Sequence, residues 1–191
     1  MVAAAFGGLD EHVWRFFVDH PFLIGVAKVY TRWGVASVLI PITLVIGIAL
    51  FMKYRSVALA AIPMLSLQVN DVLTAEAKSW FAVARPPKAE WLAGAAGGSF
   101  PSGHTANTTA LIVSVAVVVS MCTTSKRLAA WVFGASGLLI TLMGWSRLAL
   151  NVHWLSDVVA GWALGACTAM VVAFIVMKLA KISPTRRNSR P

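Results

Sequence analysis

Residues 146–179 read SRLALNVHWLSDVVAGWALGACTAMVVAFIVMKL, a polar entrance followed by an almost uninterrupted apolar run. A bilayer's hydrocarbon is about 30 Å thick and an α-helix rises about 1.5 Å per residue, so roughly 20 apolar residues are needed to cross it. Residues 154–179 are long enough, and are predicted to span with some tilt. The polar residues are not scattered along this run. Ser146, Arg147, His153 and Asp157 stand at its entrance and Lys178 at its exit, so the two ends of the helix differ chemically.

The same ruler applied toward the N-terminus finds four further spans, at 128–145, 104–122, 57–77 and 34–52. Five spans joined by short links, with no internal repeat, predict an all-α integral membrane helical bundle folded as one domain over residues 1–191. Composition agrees. Of 191 residues, 59% are hydrophobic and only 12% charged, about half the charged share of a soluble domain, which excludes a soluble globular protein. Sixteen basic against seven acidic residues give a formal charge of +9, which in a soluble chain would point to nucleic acid. Here a bilayer accounts for it, and no nucleic-acid site is expected. Cys122 and Cys167 lie in separate apolar runs without disulfide or metal-ligand spacing, so both are expected to be buried free thiols.

Short loops rich in Lys and Arg stay in the cytoplasm. Lys53, Arg55, Lys126, Arg127, Lys178, Lys181, Arg186, Arg187 and Arg190, nine of the sixteen basic residues, fall at alternate span ends and around the tail 180–191. None of the seven acids does. The tail is therefore expected to be cytoplasmic, touching anionic lipid heads, with Ser183-Pro184 ending the last helix. Five spans then place the N-terminus outside. Residues 1–33 carry Asp10, Glu11, Arg15, Asp19, Lys28 and Arg32 among Trp14, Phe16, Phe17 and Phe22, which predicts interfacial helices on the outer surface rather than a span.

The remaining polar residues converge on the outer ends. Lys78 and Arg85 follow the second span, and Ser102, Gly103 and His104 open the third. Arg147 closes the fourth, and His153 and Asp157 open the fifth. In a bundle these form one layer of three cations, two histidines and a helix N-terminus, an anion site with acid–base capacity. Arg85 and Arg147 offer planar forks of donors to phosphate oxygens, and Lys78 a compact charge. Pro86 turns Arg85 away from helical geometry, so it is expected to curl back over the site. Ser102 suits the N-cap, Gly103 lets an anion approach the free N–H groups, and His104 projects from the first turn. Taken alone, Pro101-Ser102-Gly103-His104 is better explained by a capped helix after a turn, without chemistry. His153 and Asp157, four apart, are predicted to share a helix face, the carboxylate orienting one ring nitrogen and freeing the other for nucleophilic attack. His104 is then the candidate general acid.

These blocks, Lys78 and Arg85-Pro86, Pro101-Ser102-Gly103-His104, and Ser146-Arg147 with His153 and Asp157, resemble the three-part signature of the type 2 phosphatidic acid phosphatases without departure. The resemblance implies a metal-independent, cofactor-free hydrolase of phosphomonoesters or diphosphates. His153 would form a phosphohistidine, Asp157 would orient it and His104 would protonate the leaving oxygen. Lys78, Arg85, Ser102, Gly103 and Arg147 would bind the phosphoryl group. Integral members usually have six spans, so a first span is expected to be missing here, the alternative being a short N-terminus translocated by the first true span. The expected substrate is a lipid phosphate in the outer leaflet of a bacterial cell membrane. Polyprenyl (undecaprenyl) diphosphate of the cell-wall cycle comes first, with phosphatidylglycerol phosphate or phosphatidic acid as alternatives. A lipid phosphotransferase using the same phosphohistidine is a second class, and a non-catalytic lipid-binding or transport protein a third. The two histidines and the one-sided placement count against the third.

Other residues carry weaker expectations. Asp71, two turns below Lys78, is expected to pair with a site cation, and Asn107, Thr108 and Thr109 either support His104 or bond across helices. Residues 87–99, with Trp91, Gly94, Gly97 and Gly98, read as a mobile lid, or Trp91 and Trp80 read as membrane-interface anchors, and the loop with the N-terminal segment is expected to set head-group selectivity. No divalent-metal site is expected, because acids are few and three cations supply the charge.

Overall fold

The computed structural model describes residues 2–181 and contains no strand among them. Two N-terminal helices, α1 (Val2–Asp19) and α2 (Ile24–Thr31), lead through a 3-10 turn at Arg32–Gly34 into α3 (Ala36–Tyr54) and α4 (Val57–Phe81). After a long link containing a second such turn, Lys88–Glu90, come α5 (Gly103–Cys122), α6 (Lys126–Ala149) and α7 (Leu155–Leu179). Five helices, α3 to α7, are long and apolar enough to cross a membrane, and each lies within a few residues of an expected span. Lys78 and Arg147 differ from expectation in sitting inside the last turns of α4 and α6 rather than beyond them. Ser183-Pro184, Arg186, Arg187 and Arg190 lie outside the described residues.

The bundle is organised around α5, whose most apolar stretch is 56% buried against 11% for α6 and 17% for α3. Its closest partner is α7, where Gly161 and Gly165 stand four apart. A Cβ at Gly165 would lie 2.4 Å from the Ala106 carbonyl oxygen, and one at Gly161 would lie 2.9 Å from that of Ser102. Only glycine permits this approach, as in small-residue contacts between membrane helices generally. It brings the N-termini of α5 and α7 side by side, tied by Ser102 N–H donating to the Asp157 carbonyl at 3.0 Å.

At the opposite end Leu50, Leu59, Ile62, Val118 and Ala173 pack together against Tyr54, Cys122 and Met177. That end carries Lys53, Arg55, Lys126, Arg127, Lys178 and Lys181, the helix termini remote from the motif residues. The N-terminal helices are fastened to the motif end. Buried Asp10 of α1 accepts from the Ser156 backbone N–H at 2.8 Å and its hydroxyl at 2.6 Å, capping α7, while Trp14 meets Trp154 edge-on at 6.1 Å. Ala27 of α2 packs on Ala149, Leu150 and Val152. Neither cysteine is in a disulfide, and Cys122 is half-buried. Cys167 is exposed on the outer face of α7 rather than buried, because the buried side of that helix is taken by the glycines facing α5.

Candidate active site

Lys78, in the last turn of α4, donates from Nζ to the Gly98 carbonyl at 2.7 Å and to that of Ser99 at 3.4 Å. The helix stops at Ala82, held in the left-handed region at φ 45°, and the chain then folds Arg85 back over the site as its proline neighbour suggested. The guanidinium is almost fully engaged. Nε donates to Gly97 O at 3.1 Å, and Nη2 donates to Ala96 O at 2.8 Å and Gly98 O at 3.1 Å. Nη1 donates to Val152 O at 2.8 Å and lies 3.0 Å from His153 Nε2. Trp91 donates to Pro86 O at 2.9 Å beneath this guanidinium, and Leu92 N–H donates to Leu150 O at 3.1 Å. In the structure the site's own cations fasten residues 96–99 against the bundle. Trp91 is part of that packing, whereas Trp80 is 85% exposed.

His153 and Asp157 do not share a helix face. Asn151 takes the left-handed conformation at φ 54°, which asparagine tolerates better than most residues, and turns the chain out of α6. His153 therefore lies before α7. Asp157, in the first turn of α7, accepts from the backbone N–H of the N-cap residue Trp154 at 2.8 Å, and its Oδ2 is 3.0 Å from His153 Nδ1. A proton on Nδ1 leaves the Nε2 lone pair facing Arg85 and the cavity. Burial, and after it the charges of Arg147, Arg85 and Lys78, hold the His153 pKa well below the ordinary histidine value, so the ring is neutral. Burial also lowers that of Arg85, which stays a cation.

Arg147 is buried and donates from Nη1 to the Thr31 hydroxyl, while its buried Nε–H has no protein partner. A cavity of about 430 Å³ is lined by Lys78, Arg85, Gly103, His104, Arg147 and His153, with residues 94–96. Six of the eight residues expected at the site thus face one space. Asp157 stands behind His153, and Ser102 is wholly buried behind Gly103. Ser102 occupies the N-cap of α5, but its hydroxyl accepts from Thr105 Oγ1 at 3.0 Å instead of capping the helix. Among the described residues no three His, Cys, Asp or Glu side chains gather as a metal site. The space combines three cations, an oriented neutral imidazole and a second imidazole, a set that can hold phosphoryl oxygens while Nε2 attacks phosphorus.

Three residues that the motifs do not name complete the surroundings. Thr31 holds Arg147, Asp10 caps α7, and Ser99 Oγ donates to Asp157 Oδ2. Asp71 differs from expectation in its partner. It accepts from Asn107 Nδ2 at 2.7 Å, and Asn107 Oδ1 accepts from Asn70 at 2.6 Å, while Lys78 is committed to loop carbonyls. The network bonds α4 to α5 and does not pair Asp71 with a site cation.

The chain is similar to known proteins in sequence and fold. Phosphatidylglycerophosphatase B of Bacillus subtilis is 30% identical over 150 residues, covering 78% of this chain and 72% of its own. Undecaprenyl-diphosphatase of Sulfolobus acidocaldarius is 34% identical over 89 residues, 47% of this chain and 37% of its own. The crystal structure of the transmembrane PAP2-type phosphatidylglycerolphosphate phosphatase from Bacillus subtilis matches with a TM-score of 0.84 at 26% identity, over 97% of this chain and 94% of that one. Aquifex aeolicus LpxE, at 24% identity and a TM-score of 0.64 over 86% of this chain and 94% of its own, has the same fold. The PAP2 superfamily model matches residues 56–181, a stretch that holds α4 to α7 and all eight candidate residues, and the chain belongs to that superfamily.

Proposed function

We propose that this membrane phosphatase removes the terminal phosphate of a lipid phosphate at the extracytoplasmic face, through a phosphohistidine on His153 and without a metal ion. The observation that carries the reading is His153 itself, with Nδ1 held by Asp157 and Nε2 turned toward a cavity walled by Lys78, Arg85, Arg147 and His104. Nε2 attacks phosphorus in line with the ester oxygen, and the N–P bond forms as the P–O bond breaks. The three cations and the N–H groups at the start of α5 neutralise the phosphoryl oxygens. Arg85 Nη1 must leave Nε2 for this to happen, and anionic phosphoryl oxygens are the stronger acceptors for it. Protonated His104 gives its proton to the leaving oxygen. Neutral His104 then takes a proton from the water that cleaves the phosphohistidine, and inorganic phosphate departs.

The sequence motifs and the family resemblance alone favour polyprenyl diphosphate. The similarity to a phosphatidylglycerolphosphate phosphatase covers nearly the whole of both chains, whereas that to an undecaprenyl-diphosphatase covers 37% of the relative. On that ground we place phosphatidylglycerol phosphate first and polyprenyl diphosphate second. The test is phosphate release by purified protein in detergent with chelator present, comparing those two lipids and phosphatidic acid against His153→Ala. His153-dependent release, fastest from phosphatidylglycerol phosphate and inhibited by vanadate, is the expected result. Full activity of His153→Ala would remove the nucleophile assignment. Loss of activity in chelator would remove metal independence, and faster release from polyprenyl diphosphate would reverse the substrate order.

A further inference from the structure

Ser99 lies outside the motif blocks, two residues before Pro101, and is wholly buried. It does not line the cavity and so does not reach the phosphoryl group. Its hydroxyl donates to Asp157 Oδ2 and stands 3.4 Å from His153 Nδ1. The shorter contact takes the proton. Asp157 Oδ2 therefore collects three donors, from Ser99, the Trp154 N–H and His153 Nδ1, while Oδ1 is buried with no partner. Two of those donors come from the turn that carries Asp157, and the Ser99 hydroxyl comes from the α4–α5 link.

We propose that Ser99 is a positioning residue for the nucleophile, its hydroxyl locking the Asp157 carboxylate in the rotation that receives the His153 Nδ1–H. This rests on the reading of His153 as the attacking group. A carboxylate held through one oxygen can swivel about its Cβ–Cγ bond, and a donor from a second element fixes that swivel. A correctly fixed carboxylate keeps the imidazole in one tautomer and aims Nε2 at phosphorus. The backbone of Ser99 is held independently of its side chain. Its N–H donates to Val83 O at 2.8 Å, and its carbonyl accepts from Lys78. Removing the hydroxyl therefore leaves the cation and the loop in place.

The experiment measures kcat and KM for lipid phosphate hydrolysis by wild type, Ser99→Ala and Ser99→Thr, with Ser99→Ala repeated in an Asp157→Asn background and His153→Ala as control. The expected result is a fall in kcat of about 10- to 100-fold for Ser99→Ala with KM nearly unchanged, a size fitting one lost bond to a charged group. Ser99→Thr, which keeps the hydroxyl, should recover most of the loss. With Asp157→Asn already present, Ser99→Ala should change kcat by less than about twofold, since both act through one carboxylate. A wild-type kcat in Ser99→Ala beside an inactive His153→Ala would overturn the role of Ser99 alone, as would an undiminished loss in the Asp157→Asn background. Activity in His153→Ala would overturn the nucleophile reading and this one with it.

Discussion

His153 shows how far a single side chain is governed by its surroundings. It is buried against three cations, and the unfolded chain gives it water instead. Its folded pKa lies well below 6.5, so the native protein binds fewer protons than the unfolded chain once the pH falls under that value. The sign follows directly: the contribution of neutral His153 to stability is complete above about pH 6.5 and declines by about 1.4 kcal/mol per pH unit below it. The unfolding temperature in detergent should therefore drop between pH 6.5 and 5, and His153→Gln should flatten part of that slope. An equal slope in the variant would mean that the ring is not held neutral. His153, Asp157, His104 and the cations were legible in the sequence because fixed spacing within short blocks and a shared span end announce them. Ser99, Thr31 and Asp10 were not, because their partners lie 58, 116 and 146 positions away and no local pattern marks them.

At the scale of elements, apolar length placed the five spans, but the ends of helices obeyed other physics. The pairing of His153 with Asp157 comes from the left-handed Asn151 and the cap of α7, an arrangement that i and i+4 spacing alone does not distinguish from a helix face. The Gly161 and Gly165 pair was in the sequence too, as two small residues one turn apart in an apolar run, and its meaning becomes clear only once α5 is found against it. Not all the glycines act this way. Gly137 of α6 has nothing within 4 Å of where a Cβ would stand. Gly165→Val should force α5 and α7 apart, cost about 1–3 kcal/mol by overpacking, and lower phosphatase activity because Ser102 and Asp157 sit at the ends of that seam. Gly137→Ala should be neutral or stabilise by up to about 1 kcal/mol, the ordinary helix preference for alanine. Thermal unfolding and phosphate release of the two variants measure this, and equal behaviour would mean that the seam is not closely packed.

For the whole molecule, the two ends of the bundle differ in what their charges do. At the motif end Lys78, Arg85 and Arg147 are committed to loop carbonyls, His153, Thr31 and the cavity. At the other end Lys53, Lys126, Arg127 and Lys181 face outward with no acid nearby in sequence. On the proposed function these exposed cations stay cytoplasmic, as anionic lipid and the energetics of insertion favour, and the cavity then faces outward. Single cysteines at Lys88, exposed in the link beside the cavity, and at Arg127, exposed at the start of α6, separate the two orientations once Cys122 and Cys167 are replaced by alanine. A membrane-impermeant maleimide should label Lys88→Cys in intact cells and Arg127→Cys only after the membrane is opened. The reverse pattern would move the cavity to the cytoplasmic leaflet. The arrangement of His153, Asp157 and the cations would stand unchanged, but the lipid phosphate would have to be drawn from the leaflet in which phospholipids are made, and the polyprenyl diphosphate left outside by wall synthesis would be out of reach.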